Sequence, residues 1–557
     1  MAAALASGSA WALDAPPAPV CISPSNLPGV ALAQEEETLN SVYRDRATRL
    51  LWSDSGKLSR QGSELLQLLN SSGSYGLESA DYGVDALNSA KRCLSTTANW
   101  EGFDRWLSAA ALRFATHLHS GRVDPRAAGF ELPEPRTDSD GAKTIEAWSS
   151  AFSVVAGVAA IEPHFYHYEL LKKALQRYRL LAETPLLTQL PRIGRIKLLA
   201  GDRYDGAPAL RSLLQAVGDL SESEVVASGD KLSLDPSLVE GLKRFQRRHG
   251  LAADGVLGGR TFDALTTPLN ARVRQIELTL ERWRWLPAFD TPPIIVNIPQ
   301  FTLYAFRTTS DRLADIQQMP VIVGQTYPRT RTPVFVGEMK YVNFRPFWDV
   351  PRSITVREML PAIAADSRYL QRNRFEIVSQ GNDEHALVQA PTPKAVADLA
   401  AGHSRLRQLP GEDNALGLVK FVFPNVHDVY LHSTPAHQLF LQSRRAFSHG
   451  CIRVSDPVSL AVYVLRDNPG AWDAKKVDSA MHKADSSRVV LTHPIKVMVL
   501  YATALALEDG SIDFFDDIYG HDRKLEVLLG QRVNPQTSNM FVRRMRDVRM
   551  DTDRPSH

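Results

Sequence analysis

The sequence predicts a multi-domain α+β chain. It has a helical N-terminal scaffold, a small three-helix module, and a β-rich C-terminal domain carrying a helical capping insert. Three observations lead there. A length of 557 residues suffices for three or four domains. Apolar residues recur at helical spacing up to about residue 286. From Pro293 onward, short β-branched and aromatic runs alternate with turn residues. A charged fraction of 23% and a hydrophobic fraction of 44% are ordinary for globular proteins. A net charge of +2 gives no electrostatic case for a nucleic-acid partner. No apolar run reaches the roughly 18 residues of a membrane span. The best candidates, 151–161 and 497–507, are core-sized.

Residues 1–32 read as leader and linker. Ala10-Trp11-Ala12 looks like a signal-peptidase site, but a basic region and an apolar stretch before it are missing; of a truncated signal and a disordered Ala/Ser leader, we favour the first. Residues 16–29, rich in Pro and Ser, form a linker. The three cysteines, Cys21, Cys93 and Cys451, make no disulfide framework. Cys21 and Cys93 can pair in an oxidising compartment and leave Cys451 free, although the leader position of Cys21 weighs against it.

Residues 33–192 read as a helical scaffold. Helices are expected over 35–51, 62–69, 103–119, 144–159 and 168–182, with Trp106, Ala110, Phe114 and Leu118 on one stripe. Residues 193–268 form the second module. Its Leu242–Arg248 stretch is a short amphipathic helix stopped by Gly250, and Thr261 is placed to cap the next one. Residues 274–286 form a helix whose last turn packs Trp283 and Trp285 at a junction. The β-rich domain spans 269–530. Residues from about 355 to 413 interrupt it with helices at 356–366, 369–372 and 394–401, and 380–413 is otherwise loop-rich. A helix over 455–465 follows the densest motif of the chain. Residues 531–557 are a charged tail.

That motif begins at Tyr430-Leu431-His432, passes through fifteen residues, and ends in Ser448-His449-Gly450-Cys451-Ile452-Arg453. A catalytic thiol needs a base or a positive neighbour to ionise it, and N–H groups aimed at a developing oxyanion. Gly450 gives the turn conformational freedom. His449 lies two positions before the thiol, and a strand–loop–strand hairpin brings His432 back to it. Tyr430 shares a strand face with His432. Arg445 and Arg453 offer carboxylate partners. Ser448 is read as a structural hydroxyl near substrate, and His449 either as a tuner of the thiol or as a loop tie. A zinc site built from His432, His437, His449 and Cys451 is the rival, without paired-cysteine spacing to support it. No cofactor or metal is expected.

The pattern His432, spacer, Ser448-His449-Gly450-Cys451 resembles the signature of the L,D-transpeptidases, the YkuD-type cysteine enzymes of bacterial cell walls. Arg453 stands where many members carry Asn and is similar to the large multi-domain branch. Val321-Ile322-Val323-Gly324, Thr330-Arg331-Thr332-Pro333 and Phe347-Trp348-Asp349 resemble landmarks of the catalytic fold. The segment Phe245-Gln246, His249-Gly250-Leu251, Asp254-Gly255 and Thr261 resembles a peptidoglycan-binding domain, with Gly259 where Pro is usual. Leu51-Trp52, Gly76-Leu77 and Asp81-Tyr82 resemble the scaffold domain of the large branch.

The resemblance implies Cys451 as nucleophile, His432 as proton carrier, and an oxyanion hole from N–H groups around Gly450 and Cys451. His449 would assist, and Tyr430, Ser448, Arg453 and Trp348 would meet substrate. It implies peptidoglycan stem peptides as donor and acceptor, glycan strands at residues 193–268, carbapenems as covalent inhibitors, and a periplasmic or cell-envelope location. It also implies that the insert gates the site. The alternatives are a non-catalytic peptidoglycan-binding scaffold, or the same chemistry used for L,D-carboxypeptidation, D-amino-acid exchange or lipoprotein anchoring.

Overall fold

The computed structural model describes residues 35–44, 49–94, 97–133, 140–221, 230–287, 291–308, 316–327, 330–380 and 386–530. The expected leader, with Cys21, and the expected charged tail lie outside them. The chain divides into two compact units: Met1–Ser120 with Arg136–Glu162, and Gly121–Pro135 with Pro163–His557.

The first unit is helical. Its spine is Thr97–Ser120, which buries Trp106, Ala110, Phe114 and Leu118 along the expected stripe. The helix expected over 35–51 is shorter. Glu36–Arg44 is helical, but the backbone at Leu51 and Trp52 is not. The reason is Asp104, a fully buried carboxylate. It accepts from Leu51 N (2.9 Å), Trp52 N (2.8 Å), Ser53 Oγ (3.0 Å) and the Tyr43 hydroxyl (2.6 Å). A buried charge is tolerated only when its lone pairs are filled, and these are. The helix expected over 144–159 is two, Gly141–Ser150 and Val154–Ala159. Glu64 accepts from Val154 N and the Ser153 hydroxyl, so the break is held from outside. Cys93 is disulfide-bonded, against the expectation, to a partner outside the described residues.

In the second unit, helix Tyr166–Ala182, expected in the scaffold, packs on Leu269–Arg284. Trp283 and Trp285 are buried there, with Trp285 edge-on to Phe130 at 5.6 Å. The small module contains Ala207–Val217, Pro236–Arg248 and Gly259–Leu265. Asp235 caps the second helix, and Pro236 opens it. Thr261 does not cap the third. It lies inside that helix, buried, and its hydroxyl accepts from Gln246 Nε2 at 3.1 Å.

The β-rich region is one closed sheet. Its strands are β1 (Ile294–Asn297), β2 (Thr302–Ala305), β3 (Gln317–Gly324), β4 (Phe335–Phe344), β5 (Val419–Val422), β6 (Leu431–His432), β7 (Ala446–Ser448), β8 (Ile452–Val454) and β9 (Ser487–Leu500). The order is β7-β3-β8-β6-β5-β4-β9-β1-β2, and β2 also pairs with β3. All strands except β7 therefore close into a barrel, which removes the sheet's free edges. Its interior is filled by Val296, Val321, Val342, Phe421, Leu431 and Ile452 among others.

The insert has helices at the expected places, Leu360–Ala365, Tyr369–Arg372 and Pro393–Ala401, but also carries unexpected strands. Trp348–Asp349, Phe375–Ser379, Val388–Gln389 and Ser404–Gln408 form a four-stranded antiparallel sheet of their own. Ser404–Gln408 reads as loop because Arg405 and Arg407 look solvated. In the fold Arg405 pairs with Asp349. Arg407 pairs with Glu376 at 3.2 Å and stacks on Phe347 at 4.4 Å. Helix Pro393–Ala401 covers this sheet, burying Leu399 against Ile377 and Leu406.

Candidate active site

Cys451 lies between β7 and β8, half-buried, and is the free thiol among the described cysteines. The expected hairpin is not how His432 reaches it. β6 and β8 are parallel neighbours, with Leu431 opposite Ile452 and His432 opposite Arg453. The chain between them passes through a short 3₁₀ turn, His437–Leu441, and then β7. Parallel neighbours need such a crossover.

His432 is buried, and its Nδ1 contacts the Ser433 carbonyl at 2.5 Å. A carbonyl only accepts, so Nδ1 carries the proton and Nε2 holds the lone pair. Burial, aided by the Arg453 charge, pulls the imidazole down to about 3, so it is neutral near pH 7. The thiol donates to the Asp428 carbonyl at 3.6 Å. Tyr430 faces the same sulfur with both its backbone and its hydroxyl. Burial pushes the Cys451 thiol up, while the Tyr430 hydrogen bonds and the Lys420 charge oppose that rise.

The loop is shaped by Gly450, whose φ of 122° favours glycine. Its N–H donates to Ser448 Oγ at 3.1 Å, and Ser448 Oγ donates to the Cys451 carbonyl at 2.5 Å. Ser448 is therefore buried beneath the loop and bonded within it, not turned toward a substrate. The Gly450 N–H is also already used. Among the described residues the Cys451 N–H makes no hydrogen bond, so it is open to an oxyanion. The Gly450 carbonyl accepts from Thr332 Oγ1 at 2.8 Å, and Thr332 Oγ1 accepts from Gly324 N at 2.8 Å. Tyr519 closes this network by donating to the Gly324 carbonyl at 2.6 Å.

His449 turns away from the sulfur and toward the insert, where its Nε2 meets Glu358 Oε1 at 2.8 Å. Glu358 lies on a π-helical turn, Thr355–Met359. Trp348, on the insert's first strand, reaches the Tyr430 hydroxyl with its indole N–H. Arg453 is half-buried with Nε unpartnered. Arg445 is committed to the carbonyls of Val321, Gln442 and Phe301, so it has no fork left for a carboxylate.

Sequence reasoning missed Lys420, Tyr519, Asp428 and Glu358, and quoted Thr332 only as part of a fold landmark. For Lys420 a signal existed: a charge inside the apolar run Val419-Lys420-Phe421-Val422, on a strand next to that of His432. Among the described residues no group of three or more His, Cys, Asp or Glu side chains is placed to hold a metal.

Comparison with known proteins now fits this geometry. Residues 292–477 match the model "L,D-transpeptidase catalytic domain". That segment is similar to a YkuD-type L,D-transpeptidase catalytic domain. Residues 37–175 match "Scaffold domain", and residues 205–265 match "Putative peptidoglycan binding domain". A protein of Haemophilus influenzae described as "Putative L,D-transpeptidase" is 31% identical over 258 residues, 46% of this chain and 49% of that protein. The chain thus spans about half the length of the curated relative it matches. Tyr519 lies beyond the matched catalytic segment, yet it braces the YkuD loop from outside.

Proposed function

We propose that this protein is an L,D-transpeptidase of the bacterial cell wall, with Cys451 as nucleophile and His432 as proton carrier. The observation that carries the reading is a free thiol on a glycine turn, beside a strand bearing a buried neutral imidazole, inside a YkuD-type domain. The thiol proton passes to His432 Nε2. The sulfur attacks the carbonyl of the L-centre of the diamino acid in a tetrapeptide stem. The C–N bond to the terminal D-Ala breaks, D-Ala leaves with the proton from His432, and a thioester remains. An amine of a second stem then gives a proton to His432 and attacks the thioester. The proton returns to sulfur, and a direct cross-link between two diamino acids (a 3-3 cross-link) is the product.

The Cys451 N–H is the oxyanion donor. Arg453 takes a stem carboxylate. Tyr430 and Trp348 line the donor side. His449 acts through Glu358 on the insert. Residues from about 355 to 413 gate entry, and the module at 193–268 meets glycan. Water, a free D-amino acid or a lipoprotein lysine as acceptor would give the related products. The disulfide at Cys93 supports the periplasm or another oxidising part of the cell envelope.

The test is intact-protein mass spectrometry after incubation with a carbapenem, with wild type beside Cys451→Ala, followed by turnover of purified tetrapeptide muropeptides. One adduct, lost in the variant, together with dimeric 3-3 muropeptides, is the expected result. No adduct on folded, reduced protein would sink the reading.

A further inference from the structure

Cys451 has no imidazolium beside it. His432 is neutral near pH 7, and His449 is turned to Glu358. A buried thiol without a positive partner stays protonated. The groups facing the sulfur are therefore decisive. From the segment before β6 come Asp428 and Tyr430, the first opposing ionisation by its charge and the second donating hydrogen bonds. From β5 comes Lys420 and from β8 Arg453. On β9, Arg488 faces Lys420 in turn.

Lys420 is fixed by register. On β5 it lies opposite His432 of β6 and opposite Asn343 of β4, so lysine, imidazole and the Arg453 guanidinium form one row across β5, β6 and β8. Its Nζ is 3.7 Å from the centroid of the Tyr430 ring. That ring lies against His432, with centroids 5.7 Å apart, and its hydroxyl faces Cys451. A half-buried lysine resting on a tyrosine whose hydroxyl meets the nucleophile has no role in closing the barrel, which Phe421 and Leu431 do from the other face.

We propose that Lys420 is the positioning cation of this site: its ammonium, acting across the Tyr430 ring and hydroxyl, stabilises the Cys451 thiolate once His432 has taken the thiol proton. The imidazolium formed at His432 then hands that proton to the leaving D-Ala amine, and the neutral imidazole takes one from the acceptor amine. This rests on the reading of Cys451 as the acyl nucleophile.

The test uses the full chain and needs no peptidoglycan. The rate of iodoacetamide addition at Cys451 is followed by peptide mass mapping from pH 5 to 10. Lys420→Met moves the midpoint up by about one pH unit, a roughly tenfold loss of rate at pH 7. Lys420→Arg retains most of the wild-type profile, and Tyr430→Phe shifts it in the same direction as Lys420→Met. An unchanged midpoint in folded Lys420→Met overturns the proposal, and so does an equal shift in Lys420→Arg, which would make packing and not charge the cause. Should Lys420→Met not fold, Tyr430→Phe carries the test, and an unchanged midpoint there overturns it. Muropeptide turnover is scored separately. A wild type that alkylates with the expected profile but never cross-links removes the transpeptidase reading alone.

Discussion

At the scale of single residues the site depends on how a glycine is held. Gly450 takes a positive φ, and its carbonyl is pinned by Thr332, 118 positions earlier in the chain. Thr332 is buried and serves two backbone groups with one hydroxyl. Thr332→Val keeps the shape and strands both the Gly324 N–H and the Gly450 carbonyl. It should destabilise the fold by about 1–3 kcal/mol and slow carbapenem acylation of Cys451. Urea melts and adduct kinetics measure the two effects, and wild-type values in both would refute the pinning role. His432 gives a pH prediction. Its value is about 6.5 unfolded and about 3 folded. Between these the unfolded chain binds the extra proton, so its contribution is complete above about pH 6.5 and is lost as pH falls toward 3. His432→Gln should flatten part of the acid limb of a stability–pH curve, and an unaltered limb would show that the acid sensitivity lies elsewhere.

At the scale of elements, the insert and the Cys451 loop meet through His449 and Glu358 on one side and Trp348 and Tyr430 on the other. π-turns of the Thr355–Met359 kind occur often at functional sites, because they re-aim a side chain without breaking the helix. The His449 and Glu358 side chains are 37% and 47% exposed, so the pair adds little to stability, within about 1 kcal/mol. Its effect should appear in catalysis. Glu358→Ala should leave iodoacetamide addition within about twofold of wild type and lower muropeptide turnover several-fold, because a small reagent does not need the insert in place. Equal loss in both assays would mean that Glu358 shapes the loop and not entry. Deleting 355–413 makes the stronger form of the test: unchanged turnover would rule out gating.

At the scale of the molecule, the small module is tied into the second unit. Arg248, on its second helix, pairs with buried Asp219 and also donates to the Ile512 carbonyl. Burial raises Asp219, and the guanidinium works against that rise. Removing one partner leaves a buried charge alone, which costs about 3–5 kcal/mol. Arg248→Met should therefore lower the calorimetric melting temperature of the second unit and loosen the 512–514 segment in hydrogen exchange. Melting within a degree of wild type would show that the pair is dispensable. Arg274 adds to the same unit, joining Glu277 at 2.8 Å and Glu526 at 2.6 Å.

By itself the sequence determined the helical and β-rich regions, the stripe on Thr97–Ser120, and the motif from His432 to Cys451. These depend on periodicity and on residues close together in the chain, so they can be read locally. Tertiary structure decided what surrounds the thiol. It replaced the hairpin by parallel strands and used the Gly450 N–H inside the loop. It turned His449 to the insert and placed Ser448 beneath the loop. It also supplied Lys420, Thr332 and Tyr519 from distant strands and turns. The insert's sheet was hidden for the same reason: Arg405 and Arg407 look solvated until Asp349, Glu376 and Phe347 are folded against them. Electrostatic partners and burial are set by closure of the barrel, which juxtaposes residues far apart in the chain, and no local pattern encodes that distance.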